Sequence, residues 1–407
     1  MVRVSAESVS RSGLPLGCSH SSRCSIASSS AFVRRRAKTR LALVDLSGLA
    51  ERQKQIKLEQ ISKRDAAQSF DLEKPPLLRT KLLRCAEARH ILLVTTHHMI
   101  SDQASMDVFR TELAALYDAF SRELPSPLGE PGIQFADFAR WQRESIGNGM
   151  FQPQIAYWLK QLGTPARPFE LRRGGTRKRA IRFRSARRPI AIREELFASV
   201  KEFAREHNCT PFMVLAAALS LLLHRHSGSR DIRIGTLAAN RSRAGTEGLI
   251  GYFVNALVLR VRIRPRMSCA ELIAQVRATT VAAYAHQDLP FEHLESLLEA
   301  RQAKQTPPYQ VMLNYRNQHT PAIEANGLTV GSWNDKRRAE NPGIAISRLA
   351  VSFHLRELPT RVTGVVDYKA DLFDDAAIAK FLEDYLKIIN QIVVDENGPV
   401  SERTVDR

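Results

Sequence analysis

Leu93–Val94–Thr95–Thr96–His97–His98–Met99–Ile100–Ser101–Asp102 is the stretch on which the reading of this chain turns. A β-branched, apolar run stops at two adjacent histidines, and a carboxylate follows four residues after the second. Side chains alternate faces along a strand, so only one of His97 and His98 can point into a given cleft while the other packs behind it. Imidazole is the side chain best suited to moving protons near neutral pH. Taken alone, a His-His pair reads sooner as a strand cap than as a reactive site, and its neighbourhood has to decide.

Outward from that stretch the composition sets bounds. The chain has 407 residues, 44% of them hydrophobic, which suits two lobes of ordinary domain size with substantial cores. No window approaches the roughly 18 consecutive apolar residues of a membrane span. The five cysteines (Cys18, Cys24, Cys85, Cys209, Cys269) are scattered with no C-x-x-C pair, so no zinc site or disulfide framework is expected. No metal is expected, and the expected location is the cytoplasm. Net charge is +18, but the excess is local. It gathers at Arg34–Arg40 and again at Arg172, Arg173, Arg177, Lys178, Arg179, Arg182, Arg184, Arg187 and Arg188. Phe183 is the one aromatic interleaved with the second cluster, whereas single-strand binding needs stacking platforms. Neither nucleic acid nor a membrane is expected as a partner. The second cluster reads as a solvated linker face, with a phosphate-bearing partner as the alternative.

Periodicity and turn signals order the chain from Leu41 onward. Residues 1–44 are rich in Ser and Arg and carry a single acid, Glu7. They read as a disordered or non-native leader, although the composition also has the form of a transit peptide. Strands are expected at Leu41–Asp45, Leu77–Arg84 and His90–Thr96, and helices at Leu49–Ala66, Ser105–Ser121, Phe135–Arg143 and Ile155–Leu162. A first lobe over 45–165 is followed by a basic connection over 166–188 and a second lobe over 189–407. In the second lobe a strand Pro189–Ile192 precedes helix Glu194–His207. Thr210 is placed to cap an almost wholly apolar, buried helix Pro211–His224. Strand Ile232–Thr236, a β-rich run Tyr252–Ile263 and helix Cys269–Ala285 come next. Strands around Gln310–Tyr315, Val351–Leu355 and Arg361–Tyr368 precede a last helix, Asp374–Val393.

Separated words along this order point one way. His97–Asp102 resembles the HHxxxDG signature of the condensation domains of nonribosomal peptide synthetases, within the superfamily of chloramphenicol acetyltransferase-like folds. Phe70–Arg79 is similar to the family's segment leading into the histidine strand, and Gln134–Trp141 to its YxDFAxW word. Ile234–Arg241 and Ile250–Asn255 resemble the segment ending in IGxFVN, His286–Glu292 the (H/N)QDxPFE word, and Tyr309–Leu313 the FQVM strand. From the residues themselves, Asp137 and Trp141 lie on one helical face and read as structural. Gly235 and Gly251 serve tight turns or close backbone approach. Asn255 either satisfies buried backbone groups or lines a channel.

The resemblance implies an α/β fold, a pseudo-dimer of two α+β lobes meeting at a tunnel. It implies amide-bond formation between a carrier-bound acyl or peptidyl thioester and a carrier-bound amino acid. Peptidyl or acyl carrier domains would be the partners, with an adenylation domain or other synthetase modules. No cofactor would be bound, and both substrates would arrive on phosphopantetheine. His98 takes the place of the catalytic imidazole. His97 and Asp102 are motif residues, with Asp102 structural and Arg241 its expected ion-pair partner. Asn255 and Gln310 are expected along the substrate path. Gln103 departs from the motif glycine and adds a long amide there, with a narrowed path or an altered loop expected. The family's opening SxAQxRLW and RHExLRT words are absent, so an N-terminally truncated chain with impaired activity is expected. Two alternatives stay open: a stand-alone acyltransferase using an acyl-CoA or acyl-carrier donor, and a non-catalytic domain that binds or docks carriers.

Overall fold

The computed structural model describes residues 40–165, 185–301, 307–317, 349–396 and 398, with strand backbone at 7–10, 30–33, 323–325 and 328–330. In chain order the first elements are β1 (Glu7–Ser10), β2 (Ser30–Val33), β3 (Leu41–Asp45), α1 (Glu51–Ala67), β4 (Leu78–Arg84), β5 (His90–Thr96), α2 (Gln103–Ser121) and α3 (Phe135–Gly147). Then come α4 (Gln152–Leu162), β6 (Ser185–Ile192), α5 (Glu194–Glu206), α6 (Pro211–Ser227), β7 (Asp231–Ala238) and β8 (Asn255–Arg262). The rest are α7 (Cys269–Ala285), α8 (Phe291–Arg301), β9 (Val311–Arg316), β10 (Ile323–Ala325), β11 (Leu328–Val330), β12 (Val351–Glu357), β13 (Val362–Lys369) and α9 (Asp375–Val394). No single described helix is long and apolar enough to cross a membrane.

Two compact units divide these elements. The first takes its residues from Met1–Asn148, Arg241–Phe253 and Pro321–Trp333, and the second from Gly149–Asn240, Val254–Thr320 and Asn334–Arg407. The sequence shows a single break, at the basic connection. Contacts in space instead assign Arg241–Phe253 to the unit that carries the histidines, where Arg241 and Phe253 both bond to Asp102, the N-cap of α2.

In the first unit β3 runs parallel to β4, which pairs antiparallel with β5; Leu43, Leu82 and Leu92 lie side by side across the sheet. Leu46, Leu58, Leu83 and Cys85 form a buried cluster with Val44, Ile61, Ile91 and Leu93 packed against it. Strand alternation and helical period thus bring one face of α1 onto one face of the sheet. Asp65 of α1 is buried and receives hydrogen bonds from Lys81 and Thr95, which satisfies its charge. Helix α2 starts at Gln103, ahead of the expected Ser105, because Asp102 is its N-cap and its side chain accepts from the Ser105 N–H.

The second unit holds a six-stranded mixed sheet in the order β6-β13-β12-β9-β7-β8. Strand β9 is parallel to β12 and β7, and the remaining pairs are antiparallel. Helix α6 is buried from Met213 to Leu223, as its uniformly apolar sequence requires, and Tyr385 of α9 donates its hydroxyl to the Leu215 carbonyl (3.0 Å). Thr210 caps α6, accepting from the Met213 N–H. The expected basic connection over 166–188 needs correction at its C-terminal end. Ser185–Arg188 belong to β6, where Arg187 faces Asp367 across the ladder and grips it through two nitrogens (2.5 and 2.8 Å). Arg188 does the same to Asp375 (2.7 and 2.8 Å). Arg187 is paired within the sheet and Arg188 with the first residue of α9; their acidic partners lie about 180 positions along the chain, out of reach of any local reading. The remaining basic residues of that connection, to Arg184, lie outside the described residues.

Candidate active site

Strand β5 ends at Thr96, and both histidines occupy the turn that follows it. The His97 N–H extends the ladder by donating to the Leu77 carbonyl (3.0 Å), and the Ile100 N–H closes the turn on the His97 carbonyl (3.1 Å). The two rings meet different surroundings. His97 is half-buried, accepts the Met99 N–H at Nδ1 (3.2 Å) and meets Phe70 edge-on at 6.0 Å. Burial, reinforced by the neighbouring His98, holds its pKa below the ordinary histidine value, so His97 is neutral at pH 7.

His98 is exposed, and its Nδ1 lies 2.7 Å from the Ser101 carbonyl oxygen. A carbonyl only accepts, so Nδ1 carries the proton and Nε2 of the neutral ring keeps its lone pair. The Tyr252 ring stands perpendicular to the imidazole with centroids 5.0 Å apart.

Asp102 is the hub beneath this turn. It is 5% exposed; Oδ1 accepts from the Ser105 N–H (2.8 Å), the Ser105 hydroxyl (2.7 Å) and Arg241 Nη2 (3.0 Å), and Oδ2 accepts from the Phe253 N–H (3.0 Å). The Arg241 guanidinium also donates to the Thr246 and Leu249 carbonyls (2.8 and 2.7 Å) and to Ser105 Oγ (2.9 Å), and it lies 4.2 Å from the centre of the Phe253 ring. Ser105 Oγ has one proton, shared between Asp102 and the Gly251 carbonyl (2.7 Å), and it accepts the Gly251 N–H (3.0 Å). Gly251 is required there because a Cβ would sit 2.4 Å from the Phe135 ring.

Gln103 is the exposed first residue of α2, with no positive φ. The motif glycine's torsional freedom is therefore not needed at this position. Asp137 completes a capping box with Gln134, and Trp141 packs against Phe138 with the Arg243 guanidinium 3.5 Å from its ring centre, both structural roles.

Asn255, read either as satisfying buried backbone groups or as lining the substrate path, does the first. It is 6% exposed and donates to the Gln287 and Leu289 carbonyls (both 2.7 Å), while its own carbonyl accepts the Phe291 N–H (3.0 Å). Every strong hydrogen-bonding position of the amide hydrogens is occupied, so Asn255 is a clamp on the turn through Asp288–Pro290. Gln154 secures the same turn through the Leu289 N–H (3.0 Å) and Asp288 (3.2 Å). Gln310 is half-buried just ahead of β9, and its carbonyl accepts the Ala350 N–H (2.8 Å). The tertiary structure adds Ser105 and Tyr252 to the site. Ser105 carried a signal, three residues after the cap Asp102; Tyr252 stood at the variable position of IGxFVN and carried none. Among the described residues no group of three or more His, Cys, Asp or Glu is placed to hold a metal.

The fold has solved counterparts. The X-domain from teicoplanin biosynthesis superposes with a TM-score of 0.77 at 24% identity, covering 93% of this chain and 84% of that one. The condensation domain of the monacolin K polyketide synthase MokA gives 0.74 at 19%, covering 91% and 83%. The architecture is thus the α/β chloramphenicol acetyltransferase-like fold of condensation domains. The Condensation domain family model matches residues 30–406, beginning ahead of Leu41, and the chain belongs to that family. Among its relatives, a linear gramicidin synthase polypeptide from Brevibacillus parabrevis is 33% identical over 366 residues, 89% of this chain. The chain spans about 5% of that polypeptide's length.

Proposed function

We propose that the chain forms an amide bond between an acyl or peptidyl thioester and an amino acid, each presented on the phosphopantetheine arm of a carrier domain of a synthetase. The acceptor nitrogen attacks the thioester carbonyl carbon; the C–N bond forms, the C–S bond breaks, and the thiol leaves. The attacking amine must shed a proton, and a neutral imidazole can take it or hold it by a hydrogen bond. Membership of the condensation family supports this reading. The observation that carries it is the 2.7 Å bond from His98 Nδ1 to the Ser101 carbonyl, which leaves an exposed Nε2 as the base. A cytoplasmic setting belongs to the same proposal, in keeping with the free thiols of Cys85 and Cys209.

The test is condensation between a donor carrier and an acceptor carrier loaded with a panel of aminoacyl thioesters, with product read by mass spectrometry. His98→Ala is expected to lower turnover about 10²- to 10⁴-fold, the usual contribution of a general base. Equal product from His98→Ala and wild type overturns the catalytic role.

A further inference from the structure

We infer that Tyr252 is a positioning residue for His98, and that the motif residues Asp102 and Ser105 act on the imidazole through it. The inference rests on the assignment of His98 as the reacting group and goes beyond it in naming what holds that group. Tyr252 is 38% exposed. Its backbone is nevertheless pinned on both sides. Before it, Ser105 bonds both the N–H and the carbonyl of Gly251 (3.0 and 2.7 Å), and the Phe135 ring fills the space a Cβ would take. After it, the Phe253 N–H is held by Asp102 Oδ2 (3.0 Å), and the Phe253 ring packs edge-on against Phe135 at 5.0 Å. On that pinned segment the Tyr252 ring stands perpendicular to the His98 ring, with centroids 5.0 Å apart.

The imidazole needs that support. The Ser101 carbonyl fixes which nitrogen is protonated, but one hydrogen bond from an exposed ring leaves rotation about the side-chain bonds open. An aromatic wall on the open side removes the alternatives. Asp102 thereby joins the two halves of the device. It caps the helix that follows the histidine turn and also grips the segment that carries Tyr252. This explains why a carboxylate that touches neither imidazole belongs to the same word of sequence.

The experiment uses the full chain, uniformly ¹⁵N-labelled, with the His98 ring nitrogens followed by NMR from pH 5 to 9. Wild type is expected to show the Nδ1–H tautomer. Tyr252→Leu is expected to shift the tautomer ratio about 2- to 10-fold toward Nε2–H, the range of an edge-to-face aromatic contact. Tyr252→Phe, which keeps the ring, restores the wild-type ratio. In the carrier assay Tyr252→Leu lowers kcat by a similar factor and leaves KM unchanged. A His98 tautomer ratio unchanged in Tyr252→Leu, or equally disturbed in Tyr252→Phe, overturns the inference. The NMR readout requires no turnover, so wild-type activity in His98→Ala defeats the catalytic reading and leaves the positioning result standing.

Discussion

Replacing Asp102 by alanine should damage stability before it damages chemistry, and the structure sets the size of the effect. The carboxylate accepts from the Ser105 N–H and hydroxyl, from Arg241 and from the Phe253 N–H. Loss of a helix N-cap costs about 1 kcal/mol. Leaving a buried guanidinium without its counter-ion costs about 3–5 kcal/mol. Arg241 keeps its bonds to the Thr246 and Leu249 carbonyls, which argues for the lower half of that range. The two effects share one carboxylate and do not simply add, so the expected loss is about 4 kcal/mol against a typical total of about 5–15 kcal/mol. Hydrogen exchange is the suitable assay, since the Ser105 and Phe253 amides report the opening of this network directly. Both should lose protection in Asp102→Ala, with a fall in melting temperature of several degrees. Arg241→Met added to Asp102→Ala should be less damaging than the sum of the single changes, because it removes the stranded charge. An Asp102→Ala protein that melts like wild type with both amides still protected, yet is inactive, would refute the structural assignment.

Two further outcomes follow from the second unit. Asn255→Ala strands the Gln287 and Leu289 carbonyls and the Phe291 N–H; at about 1–3 kcal/mol for each group left buried and unpaired, exchange should accelerate locally at 287–291. Retained protection there would show that the clamp is dispensable. Burial, opposed by Asp384, lowers the pKa of His226, which is flanked by Arg225 and Lys380. Because the folded-state value lies below the unfolded one (about 6.5), the unfolded chain binds the proton first, so stability is full above that pH and falls as pH drops toward the folded value. Melting temperatures from pH 8 to 5 should therefore slope less steeply in His226→Gln than in wild type; equal slopes count against this assignment.

Several elements were legible because their causes are local. Helix α7 is expected and found over Cys269–Ala285, where Ser268 and Glu271 form a capping box next to an apolar stripe. The wholly apolar run after Thr210 had to be buried, and it is. The histidine turn was legible as a word of sequence, and the family resemblance singled out His98 within it. What remained hidden depends on partners far along the chain. The family resemblance supplied the Asp102–Arg241 pair, which the structure forms at 3.0 Å, but not the bond from Phe253 to Asp102 across 151 positions or that of Ser105 to Gly251 across 146. Arg187 and Arg188 looked like a solvated linker until Asp367 and Asp375 stood opposite them. The short hairpin β10–β11 was not anticipated, since strands of three residues offer too little alternation to read.

By itself the sequence determined the α/β alternation, most element cores and the presence of a histidine–carboxylate site, because propensity, capping and hydrophobic period act within a few residues. Only the tertiary structure decided that Asn255 clamps a turn, that Ser105 grips Gly251, and that Tyr252 stands against His98. Those outcomes depend on which distant backbone groups need a hydrogen-bond partner once the chain has closed, and no local pattern encodes that.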